Sequence, residues 1–312
     1  MPPELDVQIS LVNTDNRQLL QKCLASLPAA CEGITWRATV VDNASSDGSG
    51  EMIASDHPWA NVLRNDVRLG FSANHNQIIV PAVESLQARY VLILNEDTEL
   101  EPGAVAELVR FCDADARCGA AGPVIVGPDG LVEPSLFPFP SVSSEFRASL
   151  LPGRPGDGPA PTGWLNGSCV LARADALREV GPLDERFFIF FEDTDLCVRL
   201  ARAGWTVRLC ERARIVHLGH QTVSKRPLGD SMERQMLRSR YLYFCKHEGR
   251  LRARLVKGLV RIAFAARATK ALLGGVVARD SGERDLASLL WRLARYDPEE
   301  RLPHESRSGA AA

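Results

Sequence analysis

The sequence predicts an α/β protein with a largely parallel sheet in its first part and a helical extension in its last part. Strand-like apolar runs alternate with helical stripes through about the first 115 residues, and this alternation is typical of a parallel sheet covered by helices. The clearest strand is the apolar run 90–94, which stops abruptly at Asn95, Glu96 and Asp97. From about Met232 onward the pattern is helical and rich in Lys and Arg.

The spacing of apolar residues predicts the elements of the first part in chain order. The predicted strands are 7–12, 39–41, 62–63 and 90–94. The predicted helices are Leu19–Leu27, a short one around Met52 and Ile53, a stripe Ile78–Leu86 that Pro81 should kink, and one that starts at Pro102.

The second part has a different texture. Gly and Pro are dense from Gly122 to Pro161, which predicts irregular structure with a flexible loop at Gly153–Pro161. Beyond it we expect the strand Trp164–Ala172, a helix around Leu177–Val180, the aromatic strand Phe187–Phe191, a helix from Leu196 with Arg199 and Arg202 outward, and the strands Thr206–Leu209 and Arg214–Leu218.

Composition excludes several classes of protein. Lys and Arg number 37 against 39 Asp and Glu, so there is no basic excess of the kind that nucleic-acid binding requires. The eight cysteines form no Cys-x-x-Cys pair, which argues against a zinc or redox motif and fits reduced thiols in the cytoplasm. Neither a signal peptide at Met1–Asp6 nor a run long enough to span a bilayer is visible.

Acidic groups follow the predicted strands at three places: Asp42, the pair Glu96 and Asp97, and the cluster Glu192–Asp195. Sugar transfer from a nucleotide diphosphate needs a group that holds the base, a carboxylate-bound cation that neutralises the diphosphate, and a carboxylate that takes the acceptor proton. Each site also has a plain structural interpretation, as a turn or helix-cap residue. His217, which follows later, can equally be a structural histidine.

The chain resembles the inverting glycosyltransferases of family 2, which have the GT-A fold, and within them the rhamnosyltransferases that use dTDP-L-rhamnose. The matching segments occur in family order: Val40–Ser49, Leu69–Phe71 with Asn74 and Asn76, Leu92–Asp97, Val180–Leu196, and His217 with Gly219. The resemblance implies a mixed, mostly parallel sheet flanked by helices, with a C-terminal helical tail. We expect a GT-A domain over 1–247, a basic helical extension over 248–302 and a disordered tail over 303–312.

The resemblance also implies the catalytic and metal residues. Asp193 would be the catalytic base, and Glu192 would orient or bind the acceptor. Asp97 and His217 would hold Mg²⁺ or Mn²⁺, with His220 as a competing ligand three residues on.

Further residues would contact the two substrates. The implied contacts to the donor nucleotide are Asn13, Asp15, Asp42, Arg68, Asn76 and Asn95, and those to the acceptor are Trp164, Gly167 and Glu192. Arg68 departs from the family pattern and would either contact phosphate or be solvated. Trp164 would either stack on a sugar or lie in the core.

The implied function is transfer from a dTDP- or UDP-sugar to a glycan or lipid-linked acceptor in cell-surface polysaccharide synthesis, at the inner face of the cell membrane. The basic C-terminal helices would contact that membrane, pack on the protein or form a dimer contact. Two alternatives remain open: a sugar-phosphate nucleotidyltransferase, although Leu11–Arg17 lacks the expected glycine, and a non-catalytic carbohydrate or nucleotide-sugar binding module.

Overall fold

The computed structural model describes residues 3–150, 163–218, 230–277, 281–300 and 302. Three predictions lie outside these residues: the loop 153–161, the ligand His220 and the tail from 303. The described residues form two compact units. The sheet unit contains 3–139, 163–188 and 192–218, and the helical unit contains the rest.

The sheet unit is an α/β structure built on a mixed sheet. Within the described residues the main sheet has nine strands in the order β3-β2-β1-β4-β10-β6-β11-β5, with β7 paired to β6, and β8 and β9 form a small second sheet. The strands are β1 Leu5–Asn13, β2 Trp36–Asp42, β3 Asn61–Arg64, β4 Ala88–Asn95, β5 Thr98–Leu100, β6 Cys118–Val126, β7 Val132–Glu133, β8 Leu136–Phe137, β9 Trp164–Leu165, β10 Cys169–Arg173 and β11 Thr206–His217.

Helices cover this sheet and make up the helical unit. Those of the sheet unit are α1 Arg17–Ala30, α2 Ser49–Asp56, α3 Phe71–Glu84, α4 Ala104–Asp113, α6 Ala174–Val180 and α7 Glu192–Arg202. Those of the helical unit are α5 Val142–Leu150, α8 Asp230–His247, α9 Arg250–Val277 and α10 Ser281–Arg295. The prediction counted α8 with the catalytic domain, whereas here it packs with α9 and α10 in the helical unit.

The parallel strands β3, β2, β1 and β4 form one half of the sheet, and β10 joins it antiparallel to β4. β1 and β4 are the central strands of this half, and Ile9, Leu11, Leu92 and Leu94 are all fully buried in one core cluster. Burial on both faces explains why β4 has an unbroken apolar sequence rather than an alternating one. This half confirms the alternating pattern of the sequence.

The strand β6 was missed by sequence reasoning, because its glycines suggested a loop. Close packing within the sheet unit requires a glycine at both Gly119 and Gly122. A Cβ at Gly119 would come within 2.6 Å of Cβ of Trp205, and one at Gly122 within 2.9 Å of the Leu165 side chain. A glycine inside a strand often marks such a close approach. The two glycines of β6 therefore reflect close packing and not a loop.

Three other predictions about elements differ from the structure. Phe187–Phe191 is not a strand: it is a series of bends, and Phe190 and Phe191 have φ of 71° and 67°. The strand expected over 164–172 is broken by a turn at 166–168, and the two strands expected over 206–218 are the single strand β11, with an irregularity between Cys210 and Arg214.

Arg199 was expected to face outward, but it is largely buried. It pairs with the fully buried Asp195 at 2.8 Å and donates to the carbonyl oxygens of Val180, Gly181 and Pro182. A buried carboxylate requires such a partner. Asp195 therefore has a structural role that ties α7 to the loop before it.

Candidate active site

The carboxyl ends of β1, β2 and β4 lie side by side at one edge of the sheet. Asn13 of β1 is in register with Asp42 of β2, and Val12 is in register with Asn95 of β4. Ligands of open α/β sheets bind outside the carboxyl ends of such strands. The loops that follow Asp42 and Asn95 therefore begin at the same edge, as the sequence pattern requires.

Backbone hydrogen bonds connect this edge to the acidic start of α7. The N–H of Asn95 donates to the carbonyl oxygen of Ser168 at 2.9 Å, and the N–H of Gly167 donates to Oδ2 of Asp193 at 3.0 Å. The turn 166–168 thus lies between the end of β4 and the carboxylate of Asp193. It brings together groups that are about a hundred residues apart in the sequence.

Asp193, at the start of α7, is held by its own chain through both carboxylate oxygens. Oδ1 accepts hydrogen bonds from N and Oγ1 of Thr194 at 2.6 and 3.1 Å, and Oδ2 accepts from N of Gly167. Burial raises the pKa of Asp193 to about 6. The carboxylate is therefore mainly ionised at neutral pH, and Oδ2 keeps a lone pair that can take a proton from a hydroxyl.

Glu192 lies beside it and is in a different state. Its side chain is buried, and Oε2 has no hydrogen-bond partner among the described residues. Burial first, and the charge of Asp193 second, hold the pKa of Glu192 well above its usual range. This favours the protonated carboxyl, which can donate a hydrogen bond to an oxygen of a ligand.

A small cavity in the sheet unit is lined by both acids. Gly167, Phe71 and Leu183 also line it. Asp42 and Asp97 do not line it. The structure thus brings Gly167, Glu192 and Asp193 around one cavity, while Asp42 and Asp97 share only the sheet edge with them.

Gly167 is required because the carboxylate packs directly against it. A Cβ at this position would lie 3.0 Å from Oδ2 and 3.3 Å from Cβ of Asp193. Such contacts are tighter than ordinary van der Waals contacts, so a side chain here would displace the carboxylate. The structure shows that Gly167 packs against Asp193 and donates a hydrogen bond to it, and its contact with the acceptor stays a prediction.

The metal pair predicted from sequence is adjacent in space. Oδ1 of Asp97 lies 3.2 Å from Nε2 of His217, because β5 and β11 pair antiparallel with His217 opposite Thr98. Oδ1 is buried and makes no hydrogen bond with any described residue. Neighbouring ligands of an octahedral cation at 2.0–2.1 Å lie about 3 Å apart, so this donor pair fits Mg²⁺ or Mn²⁺.

No third His, Cys, Asp or Glu joins these two in the part of the chain that the structure describes. A Mg²⁺-type cation is commonly held by one or two protein ligands together with substrate phosphates and water. The pair therefore fits a cation that is shared with a diphosphate, and does not fit a cage built from protein ligands alone.

Asn13 and Asp42 lie side by side at the ends of β1 and β2. Nδ2 of Asn13 donates to Oγ of Ser45 and of Ser49 at 3.0 and 2.9 Å, while its buried Oδ1 has no partner among the described residues. Oδ1 of Asp42 accepts from N of Ser45 at 3.1 Å, which is the turn contact of an Asx residue. The plain turn interpretation of Asp42 is thus present, and its contact with a pyrimidine stays a prediction.

Asp15 and Arg68 form an ion pair on the surface of the sheet unit. Asp15 has a φ of 53° and also accepts from N of Ser46 at 2.7 Å. The Arg68 side chain is 58% exposed. The guanidinium is therefore exposed but paired with a carboxylate of the protein. Its contact with the donor phosphate stays a prediction.

Asn76, which was predicted to contact the donor nucleotide, makes hydrogen bonds to the loop over 183–185. Nδ2 donates to the carbonyl oxygen of Leu183 at 2.8 Å and to Oε1 of Glu185 at 2.9 Å, and Oδ1 accepts from N of Leu183 at 3.1 Å. Both amide donors are thus used by the loop that precedes the catalytic acids. Asn76 therefore holds this loop, and its contact with the donor nucleotide stays a prediction.

Trp164 is half-buried on β9. Its ring stacks on Phe137 of β8, with ring centroids 4.6 Å apart and an angle of 19° between the planes. One face of the indole is therefore covered by the protein. Its predicted contact with the acceptor stays a prediction.

Sequence reasoning missed a group of residues that fixes the loop over 183–188. The N–H of Phe71 donates to the carbonyl oxygen of Phe188 at 2.6 Å, and Oγ of Ser72 donates to that of Phe187 at 2.8 Å. A Cβ at Gly70 would lie 2.8 Å from the Phe188 backbone. The Leu-Gly-Phe motif thus supports the approach to the catalytic acids, and nothing in its local sequence points to that partner.

Several buried polar atoms at this edge lack a hydrogen-bond partner among the described residues. They are Oδ1 of Asn13, Asn95 and Asp97, Oγ of Ser168 and Oε2 of Glu192. Buried polar groups in folded proteins are almost always paired. Five unpaired atoms along one edge therefore indicate a place where ligand, water or cation completes the hydrogen bonding.

A GT-A fold with carboxylates at this edge defines a nucleotide-sugar transferase, and comparisons with known proteins agree. The chain matches the description "Glycosyl transferase family 2" over residues 7–164 and "Glycosyl transferase family group 2" over residues 90–291. It belongs to glycosyltransferase family 2. This membership favours glycosyl transfer over nucleotidyl transfer.

Individual relatives and structures support the same family and fold. The chain is 31% identical to an N-acetylglucosaminyl-diphospho-decaprenol L-rhamnosyltransferase of Mycobacterium tuberculosis, across 76% of this chain and 83% of the relative. It is 24% identical to a low-salt glycan biosynthesis hexosyltransferase, Agl10, of Haloferax volcanii, across 68% and 67%. A mannosyltransferase structure from Pyrobaculum calidifontis with GDP-Man and Mn²⁺ superposes with a TM-score of 0.55 at 16% identity, across 94% and 87%.

Proposed function

We propose that the protein is an inverting, metal-dependent glycosyltransferase of cell-surface polysaccharide synthesis. Its donor would be a dTDP- or UDP-sugar, with L-rhamnose as the first candidate sugar, and its acceptor a hydroxyl of a glycan or lipid-linked saccharide. The observation that carries the proposal is the geometry of Asp193, an oriented carboxylate with a raised pKa beside a cavity. The name of the 31% identical relative supports the choice of sugar and acceptor.

The chain's own groups account for a single displacement. Oδ2 of Asp193 takes the proton of the acceptor hydroxyl, and the oxygen forms a bond to the anomeric carbon of the donor. The bond from that carbon to the diphosphate oxygen breaks, and its electron pair leaves with the nucleoside diphosphate. Attack from the face opposite the leaving group inverts the anomeric configuration, and no covalent enzyme intermediate is formed.

Glu192 orients the acceptor. Burial raises the pKa of this carboxyl, which favours its protonated form, and that form can donate a hydrogen bond to a second oxygen of the sugar and so fix the attacking hydroxyl next to Asp193. Asp42, Asn13 and Asn95 would bind the nucleotide at the carboxyl ends of their strands. Asp97 and His217 would hold Mg²⁺ or Mn²⁺, which when bound neutralises charge on the departing diphosphate.

A lipid-linked acceptor is anchored in a membrane, so its reaction takes place at the membrane surface. We therefore propose that the protein works at the cytoplasmic face of the cell membrane, in peripheral contact through its C-terminal basic helices. No helix in the described ranges is both long and apolar enough to cross a bilayer.

Thermal unfolding with a panel of nucleotide sugars, with and without Mn²⁺, tests the proposal. We expect one donor to raise the melting temperature, and only when Mn²⁺ is present, because ligand binding to the folded state alone stabilises it. Transfer of that sugar to a prenyl-diphosphate-linked N-acetylglucosamine should follow. Stabilisation by no nucleotide sugar, or metal-independent transfer, would contradict the proposal.

A further inference from the structure

The helix α9 exposes apolar side chains where a helix of a water-soluble unit usually exposes polar ones. Five of its large apolar residues are 43–74% exposed: Leu251, Leu255, Ile262, Leu272 and Leu273. The neighbouring α10 has the ordinary pattern, with Leu290 and Leu293 buried and none of its large apolar residues among the exposed ones. A contiguous exposed apolar surface commonly marks an interaction site.

These side chains form one stripe along the helix. At 3.6 residues per turn, Leu251, Leu255, Ile262 and Leu273 fall within about 40° of one another around the axis, over a length of about 33 Å. The opposite face is buried in the helical unit through Ala253, Val256, Val260, Ala268 and Ala271. The helix is thus apolar on two faces, and among the described residues only the second face packs against other side chains.

Cations flank the apolar stripe on both sides. Between Arg250 and Val277 there are seven Lys and Arg residues and not one Asp or Glu. Lys257 turns inward to Asp297 and Glu299, and Arg252 pairs with Glu248. The remaining exposed cations of α9 without a carboxylate within ion-pair distance among the described residues are Arg250, Arg254, Arg267 and Lys270, whereas Arg261 donates to the carbonyl oxygen of Ala294 at 2.7 Å.

We propose that this face of α9 lies flat on an anionic lipid bilayer, with the apolar stripe among the acyl chains and the flanking cations at the lipid headgroups. An apolar stripe bordered by Lys and Arg is the arrangement of helices that lie in the membrane interface. The inference rests on the proposed function, because a lipid-linked acceptor would be offered at that surface.

The charges argue against a second copy of the chain as the occupant. A symmetric dimer contact would bring the same surface of two copies together. Arg254 and Lys270 border the stripe on its two sides, and no acidic residue of α9 is present to pair with them across such a contact. Like charges at the borders of a helix pair oppose association, whereas an anionic bilayer attracts them.

Co-sedimentation of the full chain with vesicles tests the inference. Vesicles of phosphatidylcholine with about one third phosphatidylglycerol, and of phosphatidylcholine alone, provide the anionic and neutral surfaces. We expect binding to the anionic vesicles only, and weaker binding at high salt because screening reduces the attraction.

Two sets of α9 variants separate the apolar and the electrostatic contributions. Leu255→Gln with Ile262→Gln and Leu273→Gln removes the apolar stripe, and Arg254→Glu with Lys270→Glu reverses two of the flanking charges. Each set should lower the partition coefficient at least tenfold. The matched control for charge is Arg37→Glu with Arg212→Glu, both exposed residues of the sheet unit, and it should stay within twofold of the wild type.

Several results would overturn the inference: wild-type binding by the α9 variants, an equal loss in the control, no binding by the wild type, or a wild-type dimer that the apolar variant dissociates. Melting temperature confirms that each variant folds. Transfer to a water-soluble acceptor analogue is measured on the same preparations. Transfer without vesicle binding refutes only the membrane contact, whereas vesicle binding without transfer refutes only the proposed transfer reaction.

Discussion

Asp97 and Asp193 are two carboxylates of the same sheet unit, and they are satisfied in opposite ways. Both oxygens of Asp193 accept hydrogen bonds from Thr194 and Gly167, so its orientation is fixed by the chain itself. Oδ1 of Asp97 is buried without a hydrogen-bond partner among the described residues, although Nε2 of His217 lies only 3.2 Å away.

The difference shows what each carboxylate is prepared to do. A group that acts on a proton has to be oriented before the substrate arrives, and hydrogen bonds from the protein orient it. A group that binds a cation has to keep an oxygen available, because the cation itself completes its coordination. The structure therefore supports a base at Asp193 and a metal ligand at Asp97, and the following changes test that division.

Removing the charge of Asp193 should have the largest effect. In Asp193→Asn no carboxylate is left to take the acceptor proton, so we expect kcat to fall about 10³-fold, within the range for loss of a general base. Binding of the nucleotide sugar, measured by isothermal titration calorimetry, should remain within threefold of the wild type. Transfer at the wild-type rate would move the base to another residue.

Loss of the metal ligand should have the next largest effect. In Asp97→Asn the carboxylate charge on the cation is gone, and we expect about a 10²-fold fall in kcat/KM together with weaker Mn²⁺ binding. Glu99→Gln is the matched control, since Glu99 is an exposed carboxylate two residues further along. Mn²⁺ titrations by electron paramagnetic resonance should distinguish the two variants. Equal Mn²⁺ affinity in both would argue against a metal site at Asp97.

Gly167→Ala tests whether the turn positions the base. The added Cβ would meet Oδ2 of Asp193 at 3.0 Å, and the displaced carboxylate should lower kcat by about tenfold with little change in KM. Gly258→Ala is the control, because a Cβ there meets nothing within 4 Å. An unchanged kcat in Gly167→Ala would show that the contact does not position Asp193.

The smallest expected effect is the dependence of the wild-type rate on pH. Burial raises the pKa of Asp193 to about 6, so the carboxylate is protonated, and inactive as a base, below that pH. We expect kcat/KM to level off above pH 7 and to fall about tenfold from there to pH 5. Asp193→Asn should lose this dependence in its residual activity. A wild-type rate that is flat from pH 5 to 7 would contradict the assignment.

The parts of the fold that sequence predicts are those whose signal is local. The apolar run before Asn95 indicates β4, and the apolar spacing in 19–27 indicates α1. β6 was missed because Gly119 and Gly122 have the composition of a loop, and their reason for being small is a contact with Trp205 and Leu165. Such long-range packing leaves no periodic pattern in the sequence.

The same distinction holds for the site. Asp97 and Asp193 can be selected from motifs, whereas the contact between Gly167 and Asp193 joins residues 26 positions apart. The resemblance implied a nucleotide contact for the amide of Asn76, and nothing local indicated the partners it has in the loop over 183–185. The strand expected at Phe187–Phe191 failed for a similar reason, since the chain bends there under contacts with Phe71 and Ser72.

The anomeric configuration of the product tests the central claim most directly. Nuclear magnetic resonance of the saccharide formed by the wild-type enzyme shows whether the sugar has inverted relative to its nucleotide donor. A single displacement with Asp193 as the base predicts complete inversion. Retention of configuration would contradict this account, because it requires two displacements and a nucleophile in place of a base.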